Sequence, residues 1–443
     1  MATASSRRWS SVLSGGDDTV VAPASGVGIG ALTVIRLSGE KVPVIAGTVC
    51  PDLDFDAGWR AQLVPIRDAG GVLERGVVTP YPAPRSYTGE DMMEITVHAS
   101  PWLVEAVLAA CEAAGARRAA PGEFTRRAVA NGKLDLVQAE GVRDLIRAET
   151  AWQARLAREQ ISGTWSEQFI DLRRRMTALA ADIEASLDFE EQGIVVSDDD
   201  LMRRRDAVVE ALDGLAATVD AGREIRHGLR VAIMGPPNAG KSTLFNALVG
   251  RDRAIVAPEA GTTRDVVEAT VDLEGVAVVY VDTAGIRTGA GSIEEEGIRR
   301  ARRAGDGADM VLWLDPADDS GHHPPEEMRD RVVAITSKAD LRAGTDESLR
   351  VSAHTGEGLE AVVERIRGFI GSVTGGIAGV AVNPRQAAGL RRAAELLRSA
   401  DVAVREIAAD DVRQAMTALD EVVGRVSSDD VLDQVFAGFC IGK

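Results

Sequence analysis

Residues 235–242 read Gly-Pro-Pro-Asn-Ala-Gly-Lys-Ser, which fits the pattern G-x-x-x-x-G-K-[ST]. An apolar run, Leu229 to Met234, leads into it, and a helix-forming stretch, Ser242 to Leu248, leads out. That strand–loop–helix context is the one a phosphate-binding loop needs. Successive backbone N–H groups of such a loop curl around an anion. The loop is therefore expected to cradle the phosphates of a nucleotide. Lys241 would reach the terminal phosphates and the Ser242 hydroxyl would meet Mg²⁺.

Downstream segments narrow the nucleotide. Val276 to Val281 is an apolar strand that ends in Asp282-Thr283-Ala284-Gly285. The aspartate can hold Mg²⁺ through water, and the glycine N–H can sense a γ-phosphate. Between the two motifs lies Gly261-Thr262-Thr263-Arg264-Asp265, where Thr263 could complete the Mg²⁺ shell. A third apolar strand, Val332 to Thr336, ends in Ser337-Lys338-Ala339-Asp340. The Asp340 carboxylate can accept hydrogen bonds from N1–H and the exocyclic amine of guanine. Adenine has no N1–H, so GTP is selected over ATP. Val351-Ser352-Ala353 supplies a further base-contact loop.

The expected GTP contacts are Asn238, Ala239, Gly240, Lys241, Ser242 and Thr243 in the first loop. They continue with Ala257, Pro258, Glu259, Ala260, Gly261, Thr262 and Thr263, then Asp282, Thr283, Ala284 and Gly285. Ser337, Lys338, Ala339, Asp340, Ser352 and Ala353 complete the set. Guanine-binding proteins usually carry Asn where Ser337 stands. Serine keeps a hydroxyl but lacks the amide that contacts the base and braces the phosphate loop, so weaker GTP affinity with retained specificity is expected. Ile286 occupies the place of the glutamine that orients water in Ras-like enzymes. Asn238 offers an amide oxygen that can hold a monovalent cation near the phosphates. Glu294, in Glu294-Glu295-Glu296, is a candidate to orient water, although such a run also suits a solvated helix start.

The rest of the chain sets bounds. At 443 residues it should hold two or three domains. No run of 18 apolar residues is present to span a membrane. Cys50, Cys111 and Cys440 lie far apart in sequence, which argues against a disulfide framework and for a reducing compartment. The net charge of −18 disfavours broad nonspecific nucleic-acid binding, so any such contact needs a local patch or a partner. Residues 1–17 read as a disordered extension, with an organellar targeting segment as the other reading.

Asp18 to Ser38 reads as strand–loop–strand. Gly26-Val27-Gly28-Ile29-Gly30-Ala31 looks like a dinucleotide fingerprint, but the strand pattern Leu32 to Ile35 follows where a helix should. Val77 to Pro84 and Met92 to His98 are expected strands; Pro101 to Gly115 and Phe124 to Asn131 are expected helices. From Leu136 to about Gly222 the pattern is helical, with Leu172, Met176, Leu179, Ile183 and Leu187 as a core stripe. Helical patterning returns from Arg385 to the end. The expected architecture is a multidomain α/β and α chain. It comprises an extension (1–17), an N-terminal α+β domain (18–135), a helical domain in two parts (136–224 and 373–443) and an inserted P-loop GTPase domain with a mostly parallel sheet (225–372). The two ends of the insertion must lie close together.

The terminal Cys440-Ile441-Gly442-Lys443, the inserted GTPase with Asn-x-Gly-Lys-Ser and Gly-Thr-Thr-Arg-Asp, and Ser86-Tyr87-Thr88-Gly89-Glu90-Asp91 together resemble the MnmE (TrmE) family of tRNA-modification GTPases. The resemblance covers Asp18 to Lys443. It implies a tetrahydrofolate-binding N-terminal domain that forms a homodimer, and K⁺-stimulated GTP hydrolysis. It also implies work with MnmG, an FAD-binding partner that alone carries the flavin, in a heterotetramer. The implied reaction adds an aminomethyl or carboxymethylaminomethyl group to C5 of the wobble uridine, U34, of certain tRNAs. The carbon comes from 5,10-methylene-tetrahydrofolate, of which 5-formyl-tetrahydrofolate is an analogue. By resemblance, folate contacts fall on Arg36, Glu94, Lys133 and Lys443. K⁺ falls on Asn238, Ala257, Glu259 and Thr262, and Mg²⁺ on Ser242 and Thr263. Catalytic roles fall on Glu294, Asn238, Lys241 and Thr263, and Cys440 matches a cysteine linked to the modification reaction. A bacterial cytoplasm is the implied location, with the mitochondrial matrix as the alternative, and no membrane partner. The rival function is a ribosome-assembly or other regulatory GTPase switch, which would need a basic RNA-binding module after residue 372.

Overall fold

Runs of alternating burial become the strands of a first sheet. The computed structural model describes residues 18–26, 28–188, 196–251, 267–282, 307–342, 349–374, 380–426 and 429–443. The sheet is formed by β1 (Thr19–Pro23), β2 (Leu32–Ser38), β3 (Gln62–Asp68), β4 (Gly71–Tyr81), β5 (Met92–His98) and β6 (Ala116–Arg118), in the order β3-β4-β5-β2-β1-β6. Its pairs are antiparallel except β1 with β6. Along β2 the buried Ile35 and Leu37 share a core with Ile95, Val97 and the helices Val42–Val49 and Pro101–Ala113. Val34 and Arg36 alternate onto the opposite face, as a two-residue period requires.

This sheet belongs to a compact unit made of residues up to Arg143, Gln160–Ala181 and Val412–Lys443. A partly buried ion network ties its N-terminal strand to the helix Glu123–Ala130. Arg117 donates to Asp18 at 2.6 Å and to Glu123 at 2.9 and 2.5 Å. Arg127 donates to Asp18, Glu123 and Glu90 at 2.8, 3.1 and 3.1 Å. The Glu123 side chain has no solvent exposure. Ser86 to Asp91 folds back on this network: Ser38 donates to Glu90 at 2.7 Å, and Asn131 donates to the Thr88 carbonyl at 2.8 Å. Cys50 and Cys111 lie in the sheet's core as free thiols.

The second unit comprises Asp144–Glu159 and Asp182–Asp411. Its sheet has β7 (Leu229–Met234), β8 (Val267–Leu273), β9 (Val276–Asp282), β10 (Met310–Pro316), β11 (Val332–Ser337) and β12 (Leu349–Val351), ordered β12-β11-β10-β7-β9-β8. All pairs are parallel except β8 with β9. Each residue of β9 is buried, the mark of a strand covered on both faces. The helices Lys241–Arg251 and Leu359–Thr374 contribute Leu244, Leu248, Val362 and Ile366 to the core. The segments flanking this sheet meet. The Arg226 guanidinium donates to the Ala381 and Val382 carbonyls, and the Val382 N–H donates to the Thr218 hydroxyl at 3.1 Å. Asn383 and Gln386 form a capping box that starts the helix Pro384–Ser399.

Leu172, Met176, Leu179 and Ile183 are buried as the helical period predicts, and Leu187 is half-buried. Three expectations need adjusting. The strand read from Val77 begins at Gly71 and ends at Tyr81, because Pro82 starts a turn closed by Arg85 N–H to the Pro82 carbonyl at 3.2 Å. The helix Val42–Val49 and strand β3 were not anticipated. C-terminal helicity stops at Phe436, and the last seven residues run as turns. No helix among the described residues is long and apolar enough to cross a membrane.

Candidate functional site

In the second sheet the chain turns one way after β7 and the other way after β10, leaving a crevice at the carboxyl ends of those strands. The Gly235–Ser242 loop fills it. Gly235 presses on β10: a Cβ there would lie 2.5 Å from the Leu314 carbonyl oxygen, at φ +149°. Only glycine fits that approach. Asn238 is held at φ +60°, a conformation asparagine tolerates better than most residues. The Lys241 amine donates to the Gly235 and Pro236 carbonyls at 2.9 and 2.7 Å, drawing the loop into a ring. Burial lowers its pKa, and the carboxylate of Asp282 opposes that shift. Asp282 is 3% exposed and pairs in register with Ile233 of β7.

A cleft of about 540 Å³ opens beside the loop, within the usual size for a small-molecule site. It brings together Asn238, Ala239, Gly240, Lys241, Ser242 and Thr243 with Ser337, Lys338, Asp340, Ser352 and Ala353. Thus the phosphate loop and two segments about a hundred residues downstream of it form one wall. Ser352 and Asp340's own backbone N–H hold the Asp340 carboxyl below its ordinary range. That favours an ionised acceptor facing the cleft. The Lys338 amine is fixed on Asp318 at 2.8 Å. Ser242 and Asn238 are exposed toward the cleft. Ser337 departs from expectation: its hydroxyl donates to the Ala239 carbonyl at 2.7 Å, so the brace on the phosphate loop is kept without an amide. Leu314 and His354 also line the cleft and were not anticipated; His354 directly follows the Ser352-Ala353 pair that was.

A second polar cluster lies in the first unit, on the open face of its sheet. Arg36 of β2 and Glu94 of β5 are register partners, joined at 2.9 and 2.7 Å. Tyr81 donates to the other Glu94 oxygen at 3.3 Å. The guanidinium lies 5.6 and 5.7 Å from the ring centres of Tyr87 and Phe124. The C-terminal tail reaches the same place. Arg36 donates to the Gly442 carbonyl at 3.3 Å, and the Gly122 N–H donates to the Cys440 carbonyl at 3.2 Å. Gly442 sits at φ +90°, where a Cβ would meet the Pro23 carbonyl. Burial, and then the charge of Arg36, lower the pKa of Lys443, against the pull of Glu94 and Cys440. Arg36, Glu94 and Lys443 therefore gather at one spot. Lys133 does not join them by any bond: its amine donates to the Pro84 carbonyl at 3.2 Å. Cys440 is exposed, whereas burial pushes Cys50 and Cys111 to about 12 and leaves them unreactive. Tyr81, Tyr87 and Phe124 are additions to the sequence expectation; Tyr87 stood within the quoted Ser86–Asp91 segment.

Ala257, Pro258, Glu259, Ala260, Gly261, Thr262 and Thr263 lie outside the described residues, as do Thr283, Ala284, Gly285 and Glu294. The extension 1–17 lies outside them too.

Comparison with known proteins separates the candidates. Residues 19–133 match the family described as GTP-binding protein TrmE N-terminus, and residues 136–440 match the MnmE helical domain. A tRNA modification GTPase MnmE of Azorhizobium caulinodans is 40% identical over 441 residues, covering 96% of this chain and 99% of that protein. The chain belongs to the MnmE family. A second relative of the same name, from Methylorubrum populi, is 42% identical over 445 residues, covering 96% of this chain and 98% of its own. Among solved structures, the G domain of the T. maritima FeoB iron transporter is 29% identical over 32% of this chain and 98% of its own, with a TM-score of 0.24. MnmE membership spans both clusters, since the two family matches together contain Arg36 and Glu94 as well as Lys241 and Asp340.

Proposed function

We propose that this MnmE-family protein hydrolyses GTP, and that hydrolysis serves modification of the wobble uridine U34 of tRNA. The observation that carries the proposal is the shared cleft, which sets a phosphate loop opposite an ionised Asp340. A carboxylate there takes the N1–H and amine donors of guanine and rejects adenine. Lys241 supplies positive charge at the terminal phosphates. Ser242 and the buried Asp282 are hard oxygen donors of the type Mg²⁺ requires, with Thr263 as a further ligand. Bound Mg²⁺ would neutralise phosphate charge. Asn238 carries its amide on the cleft side and suits K⁺, together with Ala257, Glu259 and Thr262. Glu294 orients the attacking water, since Ile286 cannot.

The second cluster suits a folate. Arg36 and Glu94 present a cation and an anion, and Tyr81 a hydroxyl, beside the Tyr87 and Phe124 rings. Such a wall can meet the donor and acceptor edges of a pterin, with Lys443 and Lys133 available to carboxylates. We assign 5,10-methylene-tetrahydrofolate there as the carbon source, and leave Cys440 as an exposed thiol available to the modification step. In this reading the protein is a homodimer that joins MnmG, the FAD carrier, in a bacterial cytoplasm, and the division 18–135, 136–224, 225–372 and 373–443 describes its domains.

GTP turnover measured in K⁺ and in Na⁺ buffers tests the hydrolytic half. Faster turnover in K⁺ is expected. Equal rates would remove the cation from the mechanism.

A further inference from the structure

We infer that Ser337 is a positioning residue for the phosphate loop and that the protein does not read N7 of guanine. This rests on the guanine-binding reading above. A serine hydroxyl has one proton to donate. Here it goes to the Ala239 carbonyl at 2.7 Å, from a side chain 6% exposed to an alanine 1% exposed. Guanine presents donors on its N1 edge and acceptors at O6 and N7. Asp340, an acceptor, can serve only the donors. N7 belongs to the ring that carries the ribose, so it lies on the phosphate side of the base, where Ser337 stands against the loop. Of the other side-chain donors on that wall, the Lys338 amine is drawn to both oxygens of Asp318, at 3.0 and 2.8 Å, and Ser352 stands beside Asp340, whose carboxyl it holds down. His354 stands at the exposed rim, on the segment that follows β12. An oxygen whose proton is spent faces N7 with lone pairs only. Specificity for guanine then comes from its N1 edge, and Ser337 contributes by fixing the loop rather than by touching the base.

The test uses the full chain and displacement of a fluorescent GDP by GTP, 7-deaza-GTP (carbon in place of N7) and ATP. GTP and 7-deaza-GTP should bind alike, within about twofold, since no hydrogen bond distinguishes them. Ser337→Asn, which restores a second donor, should make GTP the better ligand by roughly fivefold. Ser337→Ala should weaken both nucleotides by the same factor, also about fivefold, and Ser337→Thr should restore them. A wild-type preference for GTP over 7-deaza-GTP of about fivefold or more would overturn the inference. So would a Ser337→Ala protein with unchanged affinities, or a Ser337→Asn protein that gains no preference. Competition by ATP equal to that by GTP would strike instead at the guanine-binding reading, and the inference would fall with it. Asp340→Asn checks that reading separately, because the change should exchange preference for GTP into preference for xanthosine triphosphate.

Discussion

The chain builds two six-stranded sheets and uses them in opposite ways. In the mostly antiparallel sheet the candidate site is made on the strands: Arg36 and Glu94 face each other across β2 and β5. In the mostly parallel sheet β9 is buried on both faces, and the site is made by loops at the strands' carboxyl ends. A strand-borne site is held rigidly by register, since one residue of slip would send Arg36 to the other face. A loop-borne site can alter its contacts without disturbing the core. That division suits a fixed wall for one ligand and a switching cleft for another.

The largest effect is expected in the first unit. Glu123 is fully buried and accepts from two arginines, so Glu123→Gln removes the most buried carboxylate of the network and leaves Arg117 and Arg127 to Asp18 and Glu90 alone. A loss of about 3 kcal/mol is expected, read from hydrogen exchange of the amides in β1 and β6. Loss of protection confined to the second sheet would contradict the proposed rigidity of the first.

One carboxylate cluster in the first unit and one carboxyl in the second should respond to pH in opposite directions. Burial alone would raise Asp18 and Glu123, but hydrogen bonds and charge from Arg117 and Arg127 outweigh it and hold both below their ordinary values of 3.8 and 4.5. Their stabilisation is present above those values and is lost as pH falls through the lowered ones. Glu224, on the helix Val219–His227 that precedes β7, behaves in reverse. Burial first, and then Asp309, raise it from 4.5 to about 7, against the opposing charge of Arg223. Its contribution is complete below pH 4.5 and fades as pH rises to about 7. Glu224→Gln should therefore flatten the second unit's loss of stability across that window and leave acid lability of the first unit unchanged. The effect is the smaller one because Glu224 is partly solvated. An unchanged slope in thermal unfolding between these pH values would remove Glu224 from the account.

Much of the cleft in the second unit was legible because each piece is a contiguous motif at a strand end. The phosphate loop, Asp282 and Asp340 could be placed on the page before any contact was known. The brace from Ser337 to Ala239 could not, since it joins residues 98 positions apart. The Arg36–Glu94 cluster of the first unit was legible only through family resemblance. Arg36 and Glu94 are 58 residues apart, and Gly442 is 406 from Arg36, so nothing local marks them as neighbours. Strand β3 hid because Pro65 interrupts its run; proline is tolerated there because β3 lies at the sheet's edge. Met310–Pro316 is as apolar as Leu229–Met234, but no motif closes it, and it is absent from the sequence expectations.

The claim that one chain couples the two sites is tested most directly by mass spectrometry of wobble uridines. Cells lacking this protein would be supplied with the wild type, Lys241→Ala or Arg36→Ala. Wild type should restore the modified uridine, and each variant should fail, one at the phosphate loop and one at the strand-borne wall. Full modification with a stably folded Arg36→Ala protein, or with Lys241→Ala, would contradict the account.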